Sequence, residues 1–408
     1  MRNTELKPLH VSTKGKLSKM INSNNLSSGI VSGLLAATGP PVIILQAAAN
    51  GNFSNEQTIL WMFSVYFFGG LFSIILPIYY RMPIVGAHSI TGVAFLATMT
   101  GQFSYQQLVG SYLISSLIIL LVGLLGLFSK LMKYVPKEII SAMMAGIITS
   151  YVVRLIVSVQ NLPLIGGVAL LVFLLFSKWK WRIPPVIAAV FAAFIMLLVT
   201  NGIGSAGASM PFVIPTIQLP EFSWLSILAI SVPLSLLILS NDAAPGIGAL
   251  GQNNYHPPIN RIITVSGIFS LITNFFGGQS ANVAGMMSAI CSGKDSGPRE
   301  KRYVGAVLSG VLLMCFGIFA WLIVPFIQSL PKDFVSLLAG LALFGVLGTS
   351  LNLSFSQPKM VLSVTFTFVI ALSNITIFYI SSPVWALAGG ALIANFIERK
   401  QELQVKEG

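Results

Sequence analysis

GAHSIT at 86–91 and GGQSAN at 277–282 decide the fold. Each sets glycine, a polar side chain and serine at the same offsets, and each interrupts an otherwise apolar run. An interruption of this kind frees backbone N–H and C=O groups, and each costs several kcal/mol if it is left unpaired in hydrocarbon. Such a segment is tolerable where it lines a polar cavity, and the alternative is a glycine-rich face for helix packing. His88, Ser89, Gln279, Ser280 and Asn282 cluster with these glycines, which favours the cavity.

The rest of the chain supplies the hydrocarbon. Apolar residues make up 55% of its 408 residues and charged residues 8%, against about 25% charged in soluble domains. Mean hydropathy is +0.86. This composition describes a polytopic membrane protein and excludes disordered, collagen-like, disulfide-scaffold and ordinary cytosolic readings. The net charge of +12 is dispersed in short clusters, so it does not mark a nucleic-acid partner. Cys291 and Cys315 form no metal-binding or disulfide pattern and read as packing residues.

Fourteen apolar runs follow one another, near 28–49, 58–80, 83–99, 106–128, 138–158, 163–177, 184–203, 223–250, 259–276, 278–292, 303–328, 334–354, 360–380 and 383–397. With the N-terminus inside, 21 of the 23 Lys and Arg residues fall on the inner side, as the positive-inside rule requires. Residues 1–27 and 398–408 then read as cytosolic tails. Arg154 lies near the outer end of the fifth run, where snorkelling to the headgroups accounts for it.

Two sets of seven runs, 28–204 and 205–397, must be inverted relative to each other because seven is odd. The predicted fold is therefore an all-α 7+7 inverted repeat, a plan that places a transporter's site near the bilayer midplane between broken helices. Interruptions at TGPPVIIL (38–45) and NDAAPGIGAL (241–250) put breaks in the first and eighth segments, to match those in the third and tenth. Half-helix N-termini there would point partial positive charge at an anion or at a ring with carbonyl acceptors.

Asp242 is the one carboxylate read as lying well inside an apolar run. An ionised Asp at the bilayer centre costs about 3 kcal/mol on insertion scales, which makes it a functional candidate by default. A carboxyl out of water is cheaper neutral than ionised, so Asp242 can take up and release a proton. The competing reading is a structural carboxylate that accepts bonds from backbone N–H groups beside Pro245. His88 can titrate or can simply bond a carbonyl at the break. Metalloprotease, serine-hydrolase and nucleotide-loop motifs are missing, as is a pair of buried carboxylates, so neither an enzyme nor a cofactor is expected.

From residue 28 to 397 the chain resembles the bacterial benzoate/proton symporter family, distantly similar to nucleobase and sulfate carriers. The resemblance is carried by IILQAA (43–48), the Arg-Met-Pro entry at 81–83, APGIGAL (244–250) and GGQSANVAGMMSAICSG (277–293) followed by Arg302-Tyr303. It implies core and gate domains, and short extended strands crossing in segments 3 and 10. It also implies a homodimer in the bacterial inner membrane and symport of a small aromatic carboxylate with a proton. His88, Ser89, Asn241, Gln279, Ser280 and Asn282 would line the substrate site, with Asp242 carrying the proton. The sequence departs from the family at Asn241-Asp242, where an amide-rich pair is usual, and at His88-Ser89, where an aromatic residue often precedes Ser. An ionised Asp242 at 4 Å from benzoate would repel it by about 4 kcal/mol at an effective dielectric of 20. Either Asp242 is protonated when substrate binds, or the substrate is a neutral ring such as a nucleobase. A passive channel and a membrane-embedded enzyme are the rivals from other classes.

Overall fold

A computed structural model describes residues 20–128, 136–179, 183–200, 212–373, 375–377 and 380–398. The join between the two sets at 204–205 lies outside the described residues, as do most of both tails.

The first set begins with α1 (Ser23–Thr38) and α2 (Pro40–Asn50), followed by α3 (Asn55–Tyr80), β1 (Gly86–Ala87) and α4 (Ile90–Met99). It continues through α5 (Tyr105–Leu124), α6 (Lys137–Asn161), α7 (Pro163–Trp179) and α8 (Pro185–Thr200). The second set opens with α9 (Trp224–Gln252). After it come α10 (Ile259–Phe275), β2 (Asn282–Val283), α11 (Gly285–Ser292) and α12 (Tyr303–Ile318). The chain then forms α13 (Ala320–Gln328), α14 (Lys332–Ser354), α15 (Val361–Ser373), two paired two-residue strands at Thr376–Ile377 and Ile380–Ser381, and α16 (Ser382–Ile393). Among the described residues, seven helices are long and apolar enough to cross a membrane, and shorter apolar helices accompany them.

The packing exchanges on swapping one set for the other. Segment 2 (α3) packs along segment 11 (α12), and its counterpart, segment 9 (α10), packs along segment 4 (α5). Segments 1 and 3 meet as α2 with α4, and segments 8 and 10 as α9 with α11. These helices form one body. In the other, α6 packs along α14, α7 against α8, and α15 against α16. Between the halves, β1 and β2 pair antiparallel, with Gly86 opposite Val283 and Ala87 opposite Asn282.

Three local features depart from the expected segments. Helix α1 starts at Ser23, earlier than 28, because Asn22 and Asn25 form a capping box that ties down its free N–H groups. The eleventh run is divided, with α12 ending at Ile318 and α13 starting at Ala320. The break expected in segment 8 is absent: α9 runs through it, with π turns at Ile227–Ser231 and Ile238–Ala243. Each π turn ends two residues before a proline, Pro233 or Pro245. A proline ring crowds the carbonyl four residues back and offers it no N–H, and a widened turn relieves both problems without ending the helix. In segment 1, by contrast, Gly39-Pro40-Pro41 removes two successive donors, and the helix does break there.

Candidate functional site

The antiparallel crossing of β1 and β2 brings both interruptions to one place, with α4 and α11 starting directly after it. The freed backbone groups are paired by hydroxyls and amides from neighbouring helices. Ser89 N–H donates to Ser280 Oγ at 3.1 Å and Val85 N–H to Ser288 Oγ at 3.1 Å. Ser270 Oγ accepts from Ala281 N–H and donates to Ala281 C=O, both at 3.1 Å, while Asn274 Nδ2 donates to Gly278 C=O at 2.8 Å. Each of these bonds removes an unpaired backbone group that would be costly in hydrocarbon. Sequence reasoning missed Ser270 and Asn274, yet their four-residue spacing along α10 is a readable one-face signal. Gly277 is needed for its backbone: φ is +84°, and a Cβ there would lie 2.2 Å from Tyr105 Oη.

Ser89 is the N-cap of α4, with Oγ accepting from Gly92 N–H at 2.9 Å. The π turn of α9 delivers Asp242, whose carboxyl lies against the Ser89 and Asn282 side chains. Its Oδ2 is buried without a hydrogen-bond partner. Asn282 Nδ2 donates to Val283 C=O at 3.1 Å, which fixes the amide and leaves Oδ1 buried and unpartnered. Gln279 Oε1 accepts from Trp61 Nε1 at 2.6 Å, and its Nε2 lies 3.4 Å from Ser89 C=O. Five of the expected residues, Ser89, Asp242, Gln279, Ser280 and Asn282, therefore stand together.

His88 is buried alongside them, packed edge-on against Tyr66 at 4.9 Å, with both ring nitrogens unpartnered. Asn241 is half-buried, with Oδ1 3.4 Å from Ser240 Oγ. Trp61 and Tyr66 gave no sequence signal, since an aromatic in an apolar helix reads as packing. Asp242 is the one carboxylate well inside an apolar run, but a second carboxylate is buried at the edge of another run. Glu138 is buried too, with Oε1 unpartnered, at the second position of α6. It escaped notice at the edge of its run, where the helix N-terminus favours an acid. Cys291 is buried as expected, but Cys315 is exposed on α12. Arg154 is exposed, as snorkelling requires.

Exposure around the site is one-sided. Asn241 and Asp242 are half-buried, and Pro245, Gly248 and Gln252 continue from them as an exposed stripe along α9. Met286 and Ala289 of the adjoining α11 are exposed as well. In the inverted counterpart, residues 91–97 of α4 and most of α2 are buried. The exposed faces therefore lie along α9 and α11, and their counterparts α2 and α4 are covered.

A family model described as benzoate membrane transport protein matches residues 19–396. The chain belongs to that family. It is 30% identical over 374 residues to the benzoate membrane transport protein of Acinetobacter baylyi (strain ATCC 33305 / BD413 / ADP1), covering 91% of this chain and 94% of the relative. It is 27% identical over 368 residues to the inner membrane protein YdcO of Escherichia coli (strain K12), covering 90% and 94% respectively. Among solved structures, the transmembrane domain of the cyanobacterial bicarbonate transporter BicA superposes with a TM-score of 0.59 at 18% identity, covering 90% of this chain and 97% of that one. SLC26A9 superposes with a TM-score of 0.64 at 14% identity, covering 95% and 67%. Membership makes this benzoate-transporter-family protein a membrane transporter rather than an enzyme, and the structural likeness establishes the shared inverted-repeat fold.

Proposed function

We propose that this protein carries a small aromatic carboxylate, benzoate being the type, across a bacterial inner membrane together with a proton, by alternating access. The body containing α1–α5 and α9–α13 acts as the substrate-bearing core, and that containing α6–α8 and α14–α16 as the gate. The observation that carries the reading is the unpartnered Oδ2 of Asp242 beside the crossing. Helices α4 and α11 each present an N-terminus there, equivalent to roughly half a positive charge. That field suits a carboxylate. An ionised Asp242 opposes it, and Asn282 Oδ1 adds a further unpaired acceptor. A proton on Asp242 removes the repulsion and places a further donor beside the open acceptor of Asn282. Anion and proton are therefore better bound together than separately.

A neutral nucleobase is the second reading, because its ring N–H groups would satisfy the open acceptors of Asp242 and Asn282 directly. Uptake of labelled benzoate and uracil into proteoliposomes, with and without an inside-alkaline pH gradient, separates the two. Benzoic acid crosses bilayers unaided as the neutral acid, so initial rates are compared with protein-free vesicles at a pH well above its own pKa. Saturable, gradient-driven benzoate uptake is expected. Gradient-driven uracil uptake without benzoate uptake replaces the proposal with the nucleobase reading, and non-saturating flux indifferent to the gradient replaces it with a channel.

We infer that the exposed stripe on α9 lines the cytosolic half of the pathway, which gives a further expectation. With Cys315 replaced by Ser, Gly248→Cys should react with a membrane-impermeant maleimide from the cytosolic face alone, because a Cβ at Gly248 meets nothing within 4 Å. Saturating benzoate should slow that reaction. Labelling from the outer face alone would reverse the orientation assigned to the pathway.

A further inference from the structure

Trp61 lies on α3, fully buried and 218 residues from Gln279 in sequence, yet their side chains are joined at 2.6 Å. An indole N–H can only donate, whereas a glutamine amide presents an acceptor at one end and two N–H groups at the other. Trp61 therefore holds Oε1 and turns the NH2 end toward Ser89, whose carbonyl is 3.4 Å from Nε2. A flipped amide would set N–H against N–H at Trp61 and oxygen against oxygen at Ser89. Gln279 is fully buried, so water cannot compensate for either clash. Around Trp61 the rings of Phe53 and Tyr112 pack at 5.6 and 6.4 Å, which fixes the indole.

We propose that Trp61 is a positioning residue that sets the polarity of the pocket wall, so that through Gln279 it favours a substrate bearing hydrogen-bond acceptors over one bearing donors. The assignment rests on the carboxylate reading of the site. Of the two N–H groups at Nε2, one is directed at Ser89, and the other is assigned to an acceptor on the bound substrate. Benzoate offers two carboxylate oxygens, and benzamide, of nearly the same shape, replaces one of them with a donor. Trp61 thereby decides between two ligands of nearly the same shape.

The test is uptake of labelled benzoate, competed by unlabelled benzoate or benzamide, in wild type, Trp61→Phe, Gln279→Met and the double variant. Phenylalanine keeps a ring at the position and removes the N–H. The preference for benzoate over benzamide is expected to fall about tenfold in each single variant, the cost of one hydrogen bond to a charged group. The double variant is expected to fall no further, since both changes remove the same oriented donor. An unchanged preference in Trp61→Phe overturns the proposal. So does a fall of equal factor when Trp61→Phe is added to Gln279→Met, which is the signature of a merely structural role. If Trp61→Phe does not fold, Gln279→Met alone carries the test, and an unchanged preference there is equally fatal. A wild type that takes up no benzoate above protein-free vesicles sinks the carboxylate reading and this assignment together, whereas a transporting wild type with unmoved variants sinks the assignment alone.

Discussion

Asp242→Asn is expected to abolish proton-driven accumulation of benzoate while leaving exchange of internal for external substrate in place. Asparagine has the shape of the protonated acid and can donate a hydrogen bond, so it mimics the loaded state permanently. The variant should bind substrate and let the core move with it, because the neutral pocket no longer repels a carboxylate by about 4 kcal/mol. What it loses is the step in which a proton leaves on the far side. Counterflow in preloaded vesicles measures the first property, and uptake under an imposed pH gradient the second. Unchanged accumulation would remove Asp242 from coupling and return it to a structural role, and loss of counterflow as well would make it part of the substrate site alone.

The second large effect is on folding. Helices α3 and α12 approach so closely at Gly70 and Gly310 that a Cβ on Gly70 would lie 2.5 Å from the Gly310 carbonyl oxygen, and one on Gly310 would lie 2.7 Å from the Gly70 oxygen. The inverted pair, α5 and α10, repeats the arrangement. A Cβ on Gly123 would fall 2.4 Å from Thr264 N and one on Gly267 2.6 Å from Leu120 Cα. Backbone cannot rotate aside as a side chain can, so Gly70→Leu or Gly267→Leu must separate two helices. Each is expected to cost at least the upper end of the overpacking range, about 3 kcal/mol. The readout is the yield of monodisperse protein in detergent and its midpoint of thermal unfolding. Gly167→Leu on α7 is the control, since a Cβ there meets nothing within 4 Å. A Gly70 variant as stable as this control would contradict the packing.

The glycines show how the two readings of an interrupted membrane segment divide. Gly70, Gly123, Gly267 and Gly310 belong to helix packing, whereas Gly277 serves the irregular backbone at the site. Composition treats all five alike. What distinguished the site glycines in sequence was their company, His88-Ser89 in one half and Gln279-Ser280-Asn282 in the other. The same logic singled out Asp242, and it overlooked Glu138, which sits at a helix start rather than within a run.

Read alone, the amino-acid sequence was enough for the membrane class, the order of the apolar segments and the positions of the two interruptions, and it sets the expectation of their alternating direction. These follow from transfer free energies and charge placement, which add up locally along the chain and need no partner. Tertiary structure alone decided that Pro245 is met by a π turn and not by a break, that Ser270 and Asn274 pair the open backbone of segment 10, and that Trp61 grips Gln279. It also decided that Asp242 rests against Ser89, a residue of the opposite repeat. The last two depend on groups far apart in the chain coming together, 218 residues apart for Trp61 and Gln279. A single directional contact between two distant elements leaves no periodic trace in either one, whereas the Ser270 and Asn274 pair leaves a one-face spacing that does not say what it bonds.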